Sequence, residues 1–385
     1  MNAPTYEAVP VKIALVHMRH AASGGTERFL NELSRYLAER GEDVTIICRS
    51  HVAPAHPAIR FVRLRPFSIG KAQRMWRFAE AVERHVKTAD YDLVYGLGKT
   101  WTHDLLRIGG GTVHHHLASK PKRQWRWKDR VAARIEARAM APGAYYHVVS
   151  NSRQSDHEIA EAYNVPAERR SVIHNFVDTH RFDRTRLSDD VSALSRELGL
   201  DGQVPVFLFL GTGYRRKGLE PTMEAFSRLD QEAILLVVGR DSRQAQYQEL
   251  SQRLGIADKC RFLGEQPSPE RYFSLADCYV LPAYYEPFGF TVLEALSCGT
   301  PVITTKKCGA KEVVTSEVAT VIDHPDDIES LTDAMSHWAR RKGDADLKTR
   351  CRELALSLDV EEIMAQNYRC ILDVCQQKKA AKCQM

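Results

Sequence analysis

One arrangement in this 385-residue chain restricts its fold more than any other: an apolar run, a glycine turn, an amphipathic helix and a second apolar run, which restarts beyond the midpoint. VKIALVHM at 11–18 is an apolar, β-branched strand and RHAASGG a short turn. In TERFLNELSRYLAERG, Phe29, Leu30, Leu33, Leu37 and Ala38 recur at helical spacing until Gly41 stops the helix. DVTIICRS is the next strand, so the chain opens on the βαβ unit of a doubly wound parallel sheet.

The grammar continues with a strand at 60–64, a helix over about 71–86, a strand at 92–98 and a long basic helix over about 124–140. YYHVVSNS (145–152) is a strand, RQSDHEIAEAYN a helix and SVIHNFVD a strand. THRFDRTRLSDD is polar and turn-like and marks the domain boundary, with the first domain at 1–185 and the second at 186–361. The second half gives strands at VPVFLFLGTG, AILLVVGR, CRFLG, CYVLPA, PVITT and TVID. Helices at LEPTMEAFSRL, YQELSQRLG, PERYFSLA, 288–298 and GAKEVVTS separate them. Amphipathic helices follow from Ile328, the last (about 362–380) packing back on the first domain, and the tail QQKKAAKCQM is expected to fray. The fold class is therefore α/β, with two Rossmann-like domains facing a cleft and ligands beyond the carboxyl ends of the strands.

Composition removes several alternatives. No run of 18 or more apolar residues is present to span a bilayer, and the N-terminal apolar run lacks a basic flank and a cleavage site, which points to the cytoplasm. Nine cysteines without CxxC spacing argue against a disulfide framework or structural zinc and read as buried thiols. The net charge of +5 is uneven: residues 1–180 hold 27 basic against 18 acidic side chains, and the remainder is acidic by four. The first half either faces an anionic partner or has a basic surface.

Four segments carry candidate chemistry. Gly24 and Gly25 stand in the first strand-to-helix turn, where backbone can approach a ligand, and the absence of GxGxxG gives no support for a dinucleotide. In GTGYRRKGLE, Arg216 and Lys217 precede a helix in a loop thinned by Gly211, Gly213 and Gly218; they suit a diphosphate, or else are solvated charges. In PAYYEPFGFTVLEALSCGTPVITT, the amides of Gly289, Phe290 and Thr291 can face a phosphate from a helix N-terminus. Glu294 either caps that helix or accepts both hydroxyls of a ribose, and Glu286 can hold hydroxyls of a transferred sugar. Neither glutamate is expected to act as a nucleophile. After RIGGGTV, His114, His115 and His116 read as a helix start with surface histidines or as a donor to a sugar hydroxyl; three adjacent residues rarely converge on a metal.

Two basic stretches, 71–87 and 119–140, contain Trp76, Trp125 and Trp127. Cations beside indoles suit an anionic membrane surface or a phosphorylated acceptor, while the same stretches are compatible with plain packing; nucleic acid is the least supported partner.

These residues resemble the family 4 glycosyltransferases of the GT-B fold, from Val11 to about Arg369, and within them the lipopolysaccharide core glucosyltransferases. GGTE (24–27), RIGGGTVHHH (107–116), VSNS (149–152), IHNFVD (173–178), GTGYRRKGLE (211–220), VVGR (237–240) and EPFGFTVLE (286–294) carry the likeness. The resemblance implies a nucleotide-sugar donor, UDP-glucose first, and a phosphorylated inner-core heptose glycolipid as acceptor at the cytoplasmic face of the inner membrane. UDP-N-acetylglucosamine, UDP-galactose and GDP-mannose are the alternative donors. It implies that Gly25 lies by the donor phosphates, that Arg216 and Lys217 neutralise the leaving diphosphate, that Glu294 holds the ribose, and that Glu286 orients the sugar with the Gly289 and Phe290 amides. It implies retention of anomeric configuration, no metal or cofactor, and His114 as the match to a catalytic histidine; where some core enzymes carry an aspartate, this chain has Gly111.

Other classes fit less well. A GT-B phosphorylase uses pyridoxal on a much longer chain, and a sugar-nucleotide epimerase needs a dinucleotide fingerprint absent here. A glycan-binding protein without activity would be expected to lose Arg216, Lys217, Glu286 or Glu294, and all four are present.

Overall fold

A computed structural model describes residues 9–22, 24–118 and 126–383. Trp125 therefore lies outside the described residues. The chain divides into two compact units, one running to His174 and resuming at Glu361, the other Asn175–Val360.

The first unit is built on a seven-stranded parallel sheet of order β3-β2-β1-β4-β5-β6-β7. Its strands are β1 (Lys12–Val16), β2 (Asp43–Cys48), β3 (Arg60–Arg63), β4 (Leu93–Gly96), β5 (Leu105–Ile108), β6 (His147–Ser150) and β7 (Arg170–Val172). The helices are α1 (Gly25–Glu39), α2 (Gly70–Thr88), α3 (Val113–Ala118), α4 (Trp127–Ala139) and α5 (Arg153–Tyr163). Parallel strands covered by helices on both faces need near-continuous apolar runs, and Ile13 to Val16 are fully buried. α1 buries Phe29, Leu30, Leu33 and Leu37 against that sheet, each worth about 1.5–3 kcal/mol in transfer free energy.

The second unit repeats the plan with six parallel strands in the order β10-β9-β8-β11-β12-β13. These are β8 (Val206–Leu210), β9 (Ile234–Val238), β10 (Cys260–Gly264), β11 (Cys278–Leu281), β12 (Val302–Thr305) and β13 (Ala319–Ile322). They alternate with α6 (Ser188–Glu197), α7 (Tyr214–Lys217), α8 (Leu219–Ser227), α9 (Gln244–Arg253), α10 (Pro269–Leu275) and α11 (Phe290–Ser297), and α12 (Ile328–Ala339) and α13 (Ala345–Leu356) close the unit. In each sheet the strand order reverses beside the first strand, between β1 and β4 and between β8 and β11. Such reversals open a crevice at the carboxyl ends of the strands.

Several expectations need correction. The division falls at 174/175, not 185/186, because the segment after His174 packs on the second unit. There Phe182 is buried against Phe273, and Arg184 donates 3.0 Å bonds to the Cys298 and Ala276 carbonyls. The 171–178 strand shortens to Arg170–Val172 for the same reason. Ser188–Glu197 is a helix, although Leu194 is its single buried side chain. GAKEVVTS forms only a 3₁₀ turn, Gly309–Glu312. The tail does not fray at Gln376, since α14 (Val360–Cys383) runs almost to the end. α14 is tied into the first unit by Tyr95 donating to Asn367 at 3.2 Å and by Lys378 paired with Asp104 at 2.7 Å.

Arg107 interrupts the apolar run of β5 and hides that strand from a hydrophobic pattern. That guanidinium is buried, lies 4.1 Å from the centre of the Phe29 ring and donates to the Ile173 carbonyl at 3.2 Å. Trp76 also differs from an interfacial tryptophan. It is half-buried, its indole N–H bonds to Glu80 at 2.8 Å, and its ring lies 4.9 Å from that of Trp101. Trp127 is 63% exposed and remains available to a partner. No described helix is long and apolar enough to cross a membrane.

Candidate active site

In the second unit, the loops leaving β8 and β11 flank the reversal point and carry most of the expected donor residues. The β8 loop turns through Gly211 and Gly213 into the single turn of α7, so Arg216 and Lys217 are helical rather than in an extended loop. Asp241 fixes this turn by accepting the Tyr214 amide at 2.9 Å, and the Tyr214 hydroxyl donates to the Gly239 carbonyl at 2.9 Å. Tyr284 in the β11 loop donates its amide to the Arg216 carbonyl at 2.9 Å, so the two loops are joined.

Glu286 is the centre of the cluster. Its Oε2 accepts from Arg216 Nη1 at 2.8 Å and lies 3.9 Å from Lys217 Nζ. Its backbone is stitched to the loop after β12, with the Glu286 amide on the Lys307 carbonyl and the Gly309 amide on the Glu286 carbonyl, both at 2.9 Å. Lys217 is buried, at 8% exposure, and its stem lies against Gly211, where a Cβ would meet Lys217 Cε at 2.6 Å. Burial pushes the Lys217 ammonium below its ordinary value, Glu286 opposes that, and Arg216 adds to it. Arg216 and Lys217 share the Glu286 carboxylate, an arrangement of charge-assisted donors that suits an anionic ligand.

Gly289 precedes α11 with φ +97°, and the first turn of that helix carries neither an acid nor a capping side chain. Its positive dipole end is thus not neutralised from within. The Thr291 hydroxyl turns inward and accepts from buried Tyr279 at 2.8 Å, which leaves its backbone rather than its side chain for a ligand. Phe290 packs edge-on against Phe176 at 5.5 Å. Glu294 is buried at 6% exposure in the second turn of α11.

In the first unit, the β1–α1 turn holds Gly24 at φ +116°, and Gly25 opens α1. A Cβ on Gly24 would strike Glu27 Oε2 at 2.2 Å, so the glycine makes room for that carboxylate. Arg19 bonds Glu27 Oε1 through Nε at 2.9 Å and Nη2 at 2.7 Å, and His17 Nε2 lies 3.9 Å away. Burial acts to raise the Glu27 carboxyl, but His17, its own backbone N–H and Arg19 outweigh it and hold the group down at about 2. A carboxyl depressed below its ordinary 4.5 gives stability that is complete above that value and lost as pH falls toward about 2. Denaturation titrations should show Glu27→Gln losing about 3 kcal/mol at neutral pH and closing the gap to wild type as pH falls through that window. A pH-independent gap would refute this role.

His114 lies exposed on α3, edge-on to His115 at 5.4 Å. His115 is engaged instead in structure: its Nδ1 pairs with Thr112 Oγ1 at 2.8 Å and its Nε2 lies 3.4 Å from Glu161. Nothing is described of the His116 side chain. Of the two described rings, His114 is the one facing solvent. Glu136 on α4 accepts the Val113 amide at 2.8 and 2.9 Å and the Tyr163 hydroxyl at 2.6 Å, fixing the start of α3. Burial raises the Glu136 carboxyl above its ordinary value. Local spacing assigns no role to Glu136, Glu27, Asp241 or Tyr279. An acid at helix position three of GGTE was the available signal for Glu27; the other three act through contacts distant in sequence.

Two family models match the chain in series: Glycosyltransferase Family 4 over residues 23–181 and Glycosyl transferases group 1 over residues 190–355. The chain belongs to the family 4 glycosyltransferases of the GT-B fold. Among its relatives, this glycosyltransferase is 22% identical over 330 residues to lipopolysaccharide glucosyltransferase WaaG of Escherichia coli, covering 84% of this chain and 88% of WaaG. It is 27% identical over 342 residues to the D-inositol 3-phosphate glycosyltransferase of Xylanimonas cellulosilytica, covering 78% and 79%. The WaaG crystal structure superposes with a TM-score of 0.81 at 20% identity, covering 93% of this chain and 99% of WaaG. Anabaena HepE in complex with UDP-glucose superposes with a TM-score of 0.69 at 19% identity, covering 94% and 99%. The glycosyltransferase fold is thereby shared over both units.

Proposed function

We propose that this glycosyltransferase transfers glucose from UDP-glucose to a heptose of a lipopolysaccharide core acceptor, with retention and without a metal ion, at the cytoplasmic face of the inner membrane. The observation that carries the reading is the Arg216–Glu286–Lys217 cluster at the reversal point of the second sheet, beside the open N-terminus of α11. A UDP leaving group develops negative charge on its diphosphate as the glycosidic bond breaks, and these two cations with the α11 amides are placed to stabilise it. Glu294 accepts the ribose hydroxyls, and Glu286, steadied by Arg216, orients hydroxyls of the hexose. The diphosphate itself then takes the acceptor proton on the face it leaves, so no carboxylate nucleophile is required. The backbone at Gly24 and Gly25 and the exposed His114 are the first unit's candidate groups for a phosphate and a sugar hydroxyl.

The similarity to WaaG supports the acceptor assignment; the D-inositol 3-phosphate relatives support a phosphorylated acceptor more generally. Exposed Trp127 among the bases of α4 suits an anionic membrane surface.

A screen of UDP-glucose, UDP-galactose, UDP-N-acetylglucosamine, GDP-mannose and ADP-heptose with truncated core glycolipid, with and without EDTA, tests the reading. UDP-glucose should be preferred and EDTA should change nothing. Preference for another donor overturns the glucose assignment, and loss of transfer in EDTA overturns metal independence. In the same assay Glu294→Ala should raise the donor KM by roughly tenfold or more, since it removes the carboxylate proposed to accept the ribose hydroxyls.

A further inference from the structure

Several arginines of the first unit have a carboxylate beside them. Arg35 pairs with Glu39 and Glu361, Arg60 with Asp43, Arg77 with Glu80 and Arg170 with Asp156. Four others at the carboxyl edge of β2 and β3 do not. Arg49 directly follows β2, Arg63 ends β3, Arg65 lies two residues beyond it, and Arg74 stands in the second turn of α2. Among the described residues none of these four has a carboxylate partner. Two of them are held together: Arg65 Nε donates to the Arg49 carbonyl at 2.8 Å, and Arg49 Nη1 reaches the Pro66 carbonyl at 3.4 Å. The first turn of α2 contributes no acid to offset them.

Burial presses the Arg49 guanidinium below its ordinary value, and repulsion from Arg74 and Arg65 adds to it. Charges crowded without a counterion cost folding free energy, and a bound dianion removes that cost. Guanidinium groups bind phosphate oxygens through paired, charge-assisted bonds. Beside the cluster, Phe67 is 85% and Ile69 75% exposed, an apolar step next to a cationic one.

We infer that Arg49, Arg65 and Arg74, with Arg63 at their edge, form a binding site for a phosphate group of the glycolipid acceptor, with Phe67 and Ile69 against its apolar part. The inference rests on the proposed glycolipid acceptor and adds the group by which that acceptor is held. It is separate from the donor diphosphate cluster, which belongs to the second unit.

The test uses truncated core glycolipid with its phosphates intact and the same glycolipid after dephosphorylation, both dispersed in neutral detergent so that no bilayer is present. Binding to the full chain and transfer from UDP-glucose are measured for wild type and for Arg65→Gln/Arg74→Gln, two exposed positions whose loss spares the half-buried Arg49. Wild type should bind the phosphorylated form roughly tenfold or more tightly than the other, and the variant should lose most of that preference. The donor KM and Tm should stay at wild-type values. Equal binding of the two forms by wild type, or an unchanged preference in the variant, overturns the inference. An arginine dependence that emerges only on anionic vesicles also overturns it, since the bilayer is then the partner. A phosphate preference that the variant loses, without transfer to either form, supports the site and rejects the proposed reaction instead.

Discussion

Lys217→Ala should lower turnover by roughly 10²–10³-fold while leaving Tm close to wild type. Lys217 lies 3.9 Å from Glu286, which keeps Arg216 at 2.8 Å when the lysine is lost, so truncation does not strand a buried carboxylate. In the proposed reaction what disappears is a desolvated cation that stabilises the charge developing on the leaving diphosphate, an interaction stronger in the transition state than in the ground state. Arg216→Ala should show a similar pattern, and the double variant should cost less than the product of the two, because both cations act on one group. Because burial lowers the Lys217 ammonium, kcat/KM for the donor should fall on the alkaline side at a pH below the ordinary lysine value of 10.5. Steady-state kinetics beside thermal melting separates the two roles. A variant that melts early but turns over normally per folded molecule would make Lys217 structural.

The second large effect is expected from Gly239→Ala. Gly239 follows β9 with φ +123°, and a Cβ there would lie 2.0 Å from the Gly211 carbonyl oxygen. Both neighbours are backbone, so no side chain can swing away. The two turns are also bonded to their surroundings: the Gly211 amide donates to Val238 at 2.9 Å, and the Gly239 amide donates to Gly264 at 2.7 Å. Relief requires moving the loop that carries Arg216 and Lys217. We expect about 3 kcal/mol or more of lost stability and loss of donor binding. Gly255→Ala is the control, since Gly255 also has positive φ (+69°) but a Cβ there meets nothing within 4 Å. It should cost about 1 kcal/mol, the strain of the left-handed backbone alone. Urea denaturation of the two variants giving equal losses would contradict the clash.

The repeated strand-helix periodicity was legible because parallel strands buried on both faces leave long apolar runs, as in VFLFL and ILLVV. It failed where a charge was buried or a helix was left polar. Arg107 in β5 is satisfied by Ile173 and Phe29, partners 66 and 78 positions away, which no local pattern announces. α6 buries only Leu194, so its helical period carries almost no apolar signal. At the site, loop position and residue type were enough to bring forward Arg216, Lys217 and Glu286, which the structure joins in one cluster. The inward turn of Thr291 toward Tyr279 and the engagement of His115 by Thr112 and Glu161 depend on side-chain direction, which spacing does not specify.

The most direct test of the central claim is the anomeric configuration of the product formed from UDP-glucose and truncated core glycolipid, read by proton NMR in the presence of EDTA. The account predicts an α-linked glucose, because the leaving diphosphate held by Arg216 and Lys217 guides the acceptor to the face it vacates. A β-linked product would contradict it, since inversion needs a general base on the opposite face that this mechanism does not use.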